Sequence, residues 1–106
     1  MAIFILPHAQ EDLLSLQEYM LDHWTESLWI NAEDEIFAKL DLVDSGLLAG
    51  SHVPELVSVG IFEYQMVFTS HHKLVYRRMD TDTYVYTVAG HQQDFQTLLL
   101  KRLLKI

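Results

Sequence analysis

The stretch that most constrains the fold lies between residues 61 and 95, where three runs rich in Val, Tyr and Phe are separated by short polar connectors. β-branched and aromatic residues favour strands, whereas Asp, Thr and Ser favour turns. Side chains that alternate along the first run predict one buried face and one solvent-exposed face. The residues on the predicted core face are Phe62, Tyr64, Met66 and Phe68. Residues 74–79 and 84–89 follow, joined through Asp80-Thr81-Asp82, so the stretch predicts an antiparallel meander that ends at Gly90-His91.

The residues before the meander predict a strand and two helices. Residues 3–6 are an apolar run stopped by Pro7, which predicts an interior strand covered on both faces. From Ala9, apolar residues recur at steps of three and four, which is typical of an amphipathic helix. The predicted stripe of this helix contains Leu13, Leu16, Met20 and Trp24, with Leu14 and Leu21 beside them. Thr25 is the predicted N-cap of a second helix, which Ser45-Gly46 ends, so we expect an antiparallel helical hairpin.

The remaining segments complete the predicted architecture. The stripe of the second helix contains Leu28, Trp29, Ala32, Ile36, Phe37, Leu40 and Val43. Residues 47–60 predict a loop in which residues 53–59 could still form a short strand. From about residue 92, apolar residues at helical spacing predict a C-terminal helix. The order of elements predicts one α+β domain over residues 1–106: an N-terminal strand, an antiparallel helical hairpin packed on a small antiparallel sheet, and the C-terminal helix.

Composition narrows the classes of function. The chain has 106 residues, no cysteine and 50% apolar residues, which predicts a folded domain without disulfides, thiolate metal ligands or cysteine nucleophiles. No apolar run approaches the roughly 18 residues of a membrane span, and the first residues lack the features of a secretory signal. We therefore expect a cytoplasmic protein with no membrane contact.

The net charge of −8 is unevenly distributed. Residues 8–46 contain ten acidic side chains and one basic side chain, Lys39, whereas residues 47–106 contain five acidic and six basic side chains. The N-terminal half should repel polyanions, so a negatively charged partner would have to approach the C-terminal half. We expect no direct sequence-specific binding of nucleic acid.

Several short sequence segments, taken in order, resemble a known family. They are His8-Ala9-Gln10-Glu11-Asp12-Leu13, then Tyr19 and Trp24, then Pro54-Glu55-Leu56, then Tyr76-Arg77-Arg78, and finally Val88-Ala89-Gly90-His91-Gln92-Gln93-Asp94-Phe95. Together they resemble the ParE/RelE superfamily of toxins from bacterial type II toxin–antitoxin modules, closer to ParE. This resemblance implies one scaffold that carries either of two activities. ParE-like members poison DNA gyrase, and RelE-like members cleave mRNA on the ribosome.

The ParE resemblance implies a toxin that inhibits DNA gyrase, arrests growth, contributes to plasmid stabilization and is neutralised by a cognate antitoxin, with which it can form a higher-order complex. It implies no cofactor, no metal and no catalytic residues. The residues expected to bind the target are His91, Asp94, Lys101, Arg102 and Lys105. Those expected to bind the antitoxin are Trp24, Phe95, Leu98 and Leu99. Cations in the last turn of a helix also interact favourably with its dipole, which is an alternative role for the three basic residues.

Two alternatives stay open. A RelE-like RNase would use His91, Arg78, Arg77 and Tyr76, although adjacent residues on a strand point to opposite faces unless a bulge intervenes. A non-toxic binding or regulatory protein on the same fold is the other alternative. His91 could equally be part of a polar junction between strand and helix. His71-His72 predicts a turn with two exposed histidines rather than a metal pair, because no third ligand is evident nearby.

Overall fold

The computed structural model describes residues 2–91, so the predicted C-terminal helix lies outside the described residues. The elements in chain order are β1 (Ile3–Ile5), α1 (Pro7–His23), α2 (Glu26–Asp44), β2 (Ser51–His52), α3 (Pro54–Val57), β3 (Gln65–Phe68), β4 (His72–Met79) and β5 (Asp82–Gly90). The predicted hairpin of helices and the predicted meander are both present. No helix in this part of the chain is long and apolar enough to cross a membrane.

The five strands form one mixed sheet in the order β1-β5-β4-β3-β2. β1 runs parallel to β5, with Ile3 opposite Thr83, whereas the other neighbouring strands are antiparallel. The prediction of a wholly antiparallel sheet is therefore wrong for β1. The two helices between β1 and the meander supply the crossover that a parallel pair requires. β1 also lies at an edge of this sheet rather than in its interior, and Phe4 is 44% exposed.

The helix boundaries follow from local chemistry. α1 begins at Pro7, before the expected Ala9, because proline at the first helical position loses no intrahelical hydrogen bond. The backbone N–H of Leu28 donates to Oγ1 of Thr25 over 3.1 Å, which confirms Thr25 as the N-cap of α2. α2 ends at Asp44, and Gly46 follows with a φ of +81°, a conformation that glycine adopts without steric cost.

Both faces of the sheet are covered at its centre. The face under α1 and α2 contributes Val67, Leu74, Tyr76, Val85 and Val88 to a core with Ala9, Ile36, Leu40 and Val43. The opposite face buries Met66, Val75 and Ala89 against Val53 and Leu56. Within residues 47–60, predicted as a loop, Pro54 begins α3, so the short strand considered for residues 53–59 does not form. The predicted one-sided core face is also wrong for Phe62 and Phe68, which are 55% and 47% exposed.

The predicted helix stripes are only partly buried. Met20, Trp29 and Ala32 form the packed contact between the two helices. Trp24 is 56% exposed, contrary to its predicted place in the stripe, because it follows the last residue of α1 in an extended conformation. Phe37, predicted in the stripe of α2, is 40% exposed.

Candidate functional site

A cleft of about 580 Å³ opens between α1, the turn after β3 and the end of β5. Asp12 of α1 is buried at its floor, where its Oδ2 accepts a hydrogen bond of 3.1 Å from the backbone N–H of Val88. That bond fixes α1 against β5. The remaining walls come from Ser15, Leu16, Tyr19, Met20, Trp24, Ser70, His71, His72, Gly90 and His91.

His72 is the most buried titratable side chain of this cleft, with 2% exposure. The prediction of two exposed histidines is therefore wrong for His72, which begins β4 instead of lying in the turn. Burial, followed by the nearby His71 and His91, lowers the pKa of His72 to about 4, so its ring is neutral near pH 7. Its Nδ1 atom is buried and has no hydrogen-bond partner. The neutral ring is part of the packing beneath the cleft.

His91 lies at the rim of the cleft, directly after β5. Its Nε2 lies 3.1 Å from the backbone oxygen of Thr69, and its ring stacks on Phe68 with a centroid distance of 6.0 Å. These contacts connect the end of β5 to the turn between β3 and β4. They hold the ring in place, and none of them involves Tyr76, Arg77 or Arg78, the other residues of the predicted RNase set.

Tyr76 and Arg78 point toward the helices and are used in structural contacts. The Tyr76 hydroxyl donates to Oε1 of Gln65 over 3.0 Å and accepts from the N–H of Gly50 over 2.8 Å. Burial raises the pKa of Tyr76 above its usual range, so its hydroxyl is protonated near pH 7. Arg78 donates to the carbonyl of Val43 over 2.8 Å, at the end of α2.

Arg77 points to the opposite face of the sheet. It lies beside Tyr64, whose pKa is raised by burial and by Tyr86 while Arg77 opposes the rise. The alternation of β4 thus separates the two arginines, as expected for adjacent strand residues. The four residues of the predicted RNase set, Tyr76, Arg77, Arg78 and His91, are not brought together in one pocket.

A partly exposed row of aromatic side chains lies on this face of the sheet, from β1 to the segment just before β3. Phe4 stacks on Tyr84 with ring centroids 5.1 Å apart, and Tyr64 meets Tyr86 edge to face at 5.0 Å. Arg77 lies directly opposite Tyr84 across the β4–β5 pair. We call Phe4, Tyr64, Arg77, Tyr84 and Tyr86 the aromatic face. It combines stacking surfaces with one cation.

A bulge in β5 contributes to the aromatic face. Val75 pairs with Thr87 and Tyr76 pairs with Val85, so Tyr86 is the extra residue of β5. The spacing of Tyr84 and Tyr86, two residues apart on a strand, is a signal in the sequence from which a shared face could have been predicted. The neighbouring Phe4 was not foreseen, because its position depends on the parallel pairing of β1 with β5.

Comparisons with known proteins bear on the fold. No protein-family model matches the sequence, and no curated protein matches it. The structure is similar to a solved chain described as "Chromosomal ParDE TA system from P. aeruginosa". The TM-score is 0.64 at 11% sequence identity, and the match covers 85% of this chain and 95% of that chain. The chain therefore has a ParE-like α+β fold, whereas an identity this low transfers no residue roles.

The residues predicted for target and antitoxin binding fall into two groups. Asp94, Phe95, Leu98, Leu99, Lys101, Arg102 and Lys105 lie outside the described residues. Trp24 and His91 both line the cleft. Among residues 2–91, no three His, Asp or Glu side chains are arranged to hold a metal ion.

Proposed function

We propose that the chain is the toxin of a bacterial type II toxin–antitoxin system, ParE-like, that inhibits DNA gyrase and is neutralised by a cognate antitoxin. The observation that carries the proposal is the likeness to the ParDE structure over 85% of this chain, with a TM-score of 0.64. A single domain over residues 1–106 would act in the cytoplasm, where gyrase and antitoxin are found together.

The side-chain geometry supports action by binding rather than by catalysis. Tyr76 and Arg78 are engaged in contacts that hold β2, β3 and α2, and Arg77 lies across the sheet from them. General acid–base catalysis of RNA cleavage needs its groups within reach of one phosphate. A protein that blocks its target through a surface needs no such convergence.

Induction in a bacterial host, followed by a supercoiling assay with purified protein, tests this proposal. Growth arrest together with inhibited supercoiling or trapped cleaved DNA is expected. Substituting Lys101 and Arg102 with glutamate should weaken inhibition, whereas Lys39→Glu, the same charge change on α2, should leave it intact. Normal supercoiling at stoichiometric excess of the protein would rule out gyrase as the target.

The aromatic face favours a second candidate function, ribosome-dependent mRNA cleavage of the RelE type. Bases of single-stranded RNA stack on exposed aromatic rings, and a nearby arginine adds charge attraction. Phe4 and Tyr84, with Arg77 opposite, provide such a surface. This function predicts cleaved transcripts in arrested cells, with less cleavage in Arg77→Met and His91→Ala variants. Intact transcripts would exclude it, and the absence of any growth arrest would favour a non-toxic binding protein.

A further inference from the structure

The outward side of α2 carries large apolar side chains where a surface helix usually carries polar ones. Ile30 is 47% exposed and Phe37 is 40% exposed, one heptad apart. Asp34 lies between them and Asp41 follows, and both acids are exposed. At about 100° per residue these four side chains fall within an arc of about 60° on the helix. We call Ile30, Asp34, Phe37 and Asp41 the α2 row.

The α2 row is placed away from the packed side of the helix. The buried residues of α2 are Trp29, Ala32, Ile36, Leu40 and Val43, whose mean direction lies about 130° around the helix from the α2 row. Single exposed apolar residues are common on protein surfaces and need no partner. Ile30 and Phe37 are less usual because they repeat at the heptad period of packed helix pairs, with acids between and after them.

The charge of the surroundings limits what can bind the α2 row. Residues 8–46 contain ten acidic side chains and a single basic one. That basic residue, Lys39, lines a smaller cleft with Leu48 and Met66 rather than the α2 row. An anionic segment would be repelled here, whereas a cationic one would gain both encounter rate and specificity.

We propose that the α2 row binds a cationic amphipathic helix of a partner protein. Apolar side chains of that helix pack against Ile30 and Phe37 while its Lys or Arg residues pair with Asp34 and Asp41. Phe37 serves as the central anchor, since aromatic side chains dominate binding energy at interfaces. A shorter row on α1, formed by Leu14, Glu18 and Leu21, has no aromatic anchor. This inference rests on the proposed function, because the partner that it describes would be the neutralising antitoxin.

Two synthetic peptides of about 18 residues, or five helical turns, test the inference. One has leucine at helical spacing with lysine elsewhere, and the other replaces each lysine with glutamate. Titration calorimetry with the full chain should detect binding of the lysine peptide alone, weakening as salt is raised. Phe37→Ser should weaken binding about tenfold or more, and Asp34→Lys about threefold to tenfold, as expected for an anchor and a rim charge.

Matched controls separate the α2 row from general charge attraction. Glu63→Lys makes the same charge change at an exposed site in the segment before β3, and Phe62→Ser removes an aromatic ring that is more exposed than Phe37. Both should bind the lysine peptide as the parent chain does. Equal weakening by Asp34→Lys and Glu63→Lys, or equal binding of the two peptides, or no binding of either, would overturn the inference. Because the assay reads no toxicity, failure to inhibit gyrase would leave this result standing, and the reverse also holds.

Discussion

The hydroxyl group of Tyr76 joins two separate segments, since it accepts a hydrogen bond of 2.8 Å from the N–H of Gly50 and donates one of 3.0 Å to Gln65. Tyr76 is 1% exposed, so neither bond has water as a ready substitute. The loop before β2 is thereby attached to the centre of the sheet. This residue, considered for catalysis from the sequence, has a structural role.

Tyr76→Phe should lower the free energy of unfolding by about 1–3 kcal/mol, because the part-buried N–H of Gly50 and Oε1 of Gln65 both lose their partner. Urea denaturation at neutral pH measures the change. Tyr84→Phe, which alters an equivalent hydroxyl on the half-open aromatic face, is the control and should change stability by less than about 0.5 kcal/mol. Equal effects in the two variants would contradict the role assigned to the Tyr76 hydroxyl.

Gly50→Ala should destabilise the fold for a steric reason. A Cβ atom at position 50 would lie 2.6 Å from both the backbone oxygen of Met66 and the hydroxyl of Tyr76. The backbone oxygen cannot move without disturbing β3, so we expect a loss of about 1–3 kcal/mol or more. Thermal melting followed by circular dichroism measures it, with the exposed Ser51→Ala as the control. A melting temperature equal to that of the parent would show that the loop yields freely.

Periodicity in this chain predicts the elements that depend on local sequence. The steps of three and four residues predicted both helices, and Thr25 marked the start of the second, because capping and amphipathic spacing are local properties. The partner of β1 could not be predicted in this way, since Ile3–Ile5 carries no signal for parallel pairing with β5. Likewise, His72 looked like a turn residue, whereas it begins β4, pairs with Gly90 of β5 and is 2% exposed, which depends on contacts distant in sequence.

The buried His72 should make stability depend on pH. Its pKa is lowered to about 4 in the folded chain, whereas the unfolded chain has an ordinary value near 6.5. The unfolded state therefore binds the proton first, so stability is full above about pH 6.5 and falls as the pH approaches 4. The loss is at most about 3 kcal/mol for a shift of this size.

Urea denaturation of the parent and of His72→Phe at pH 7.5 and pH 4.5 isolates this contribution from the titration of carboxyl groups. The difference in stability between the two pH values should be smaller for His72→Phe. His71→Phe removes a smaller cause of the lowered pKa of His72 but leaves its burial unchanged, so this variant should keep most of the pH dependence of the parent. An unchanged pH dependence in His72→Phe would contradict the burial of a neutral ring.

Substitutions of the two adjacent arginines should differ in their effect on the free energy of unfolding. Arg78 donates to the carbonyl of Val43 over 2.8 Å and to that of Thr81 over 3.0 Å, so Arg78→Met should lower stability by about 1–3 kcal/mol. Arg77 is half-buried on the aromatic face, and Arg77→Met should change stability by less than about 1 kcal/mol. Denaturation curves of both variants measure these effects.

A loss of activity in Arg78→Met that scales with its unfolded fraction would be structural, whereas a loss in the stably folded Arg77→Met would identify the aromatic face as functional. Larger destabilisation by Arg77→Met than by Arg78→Met would reverse the assignment of the two side chains.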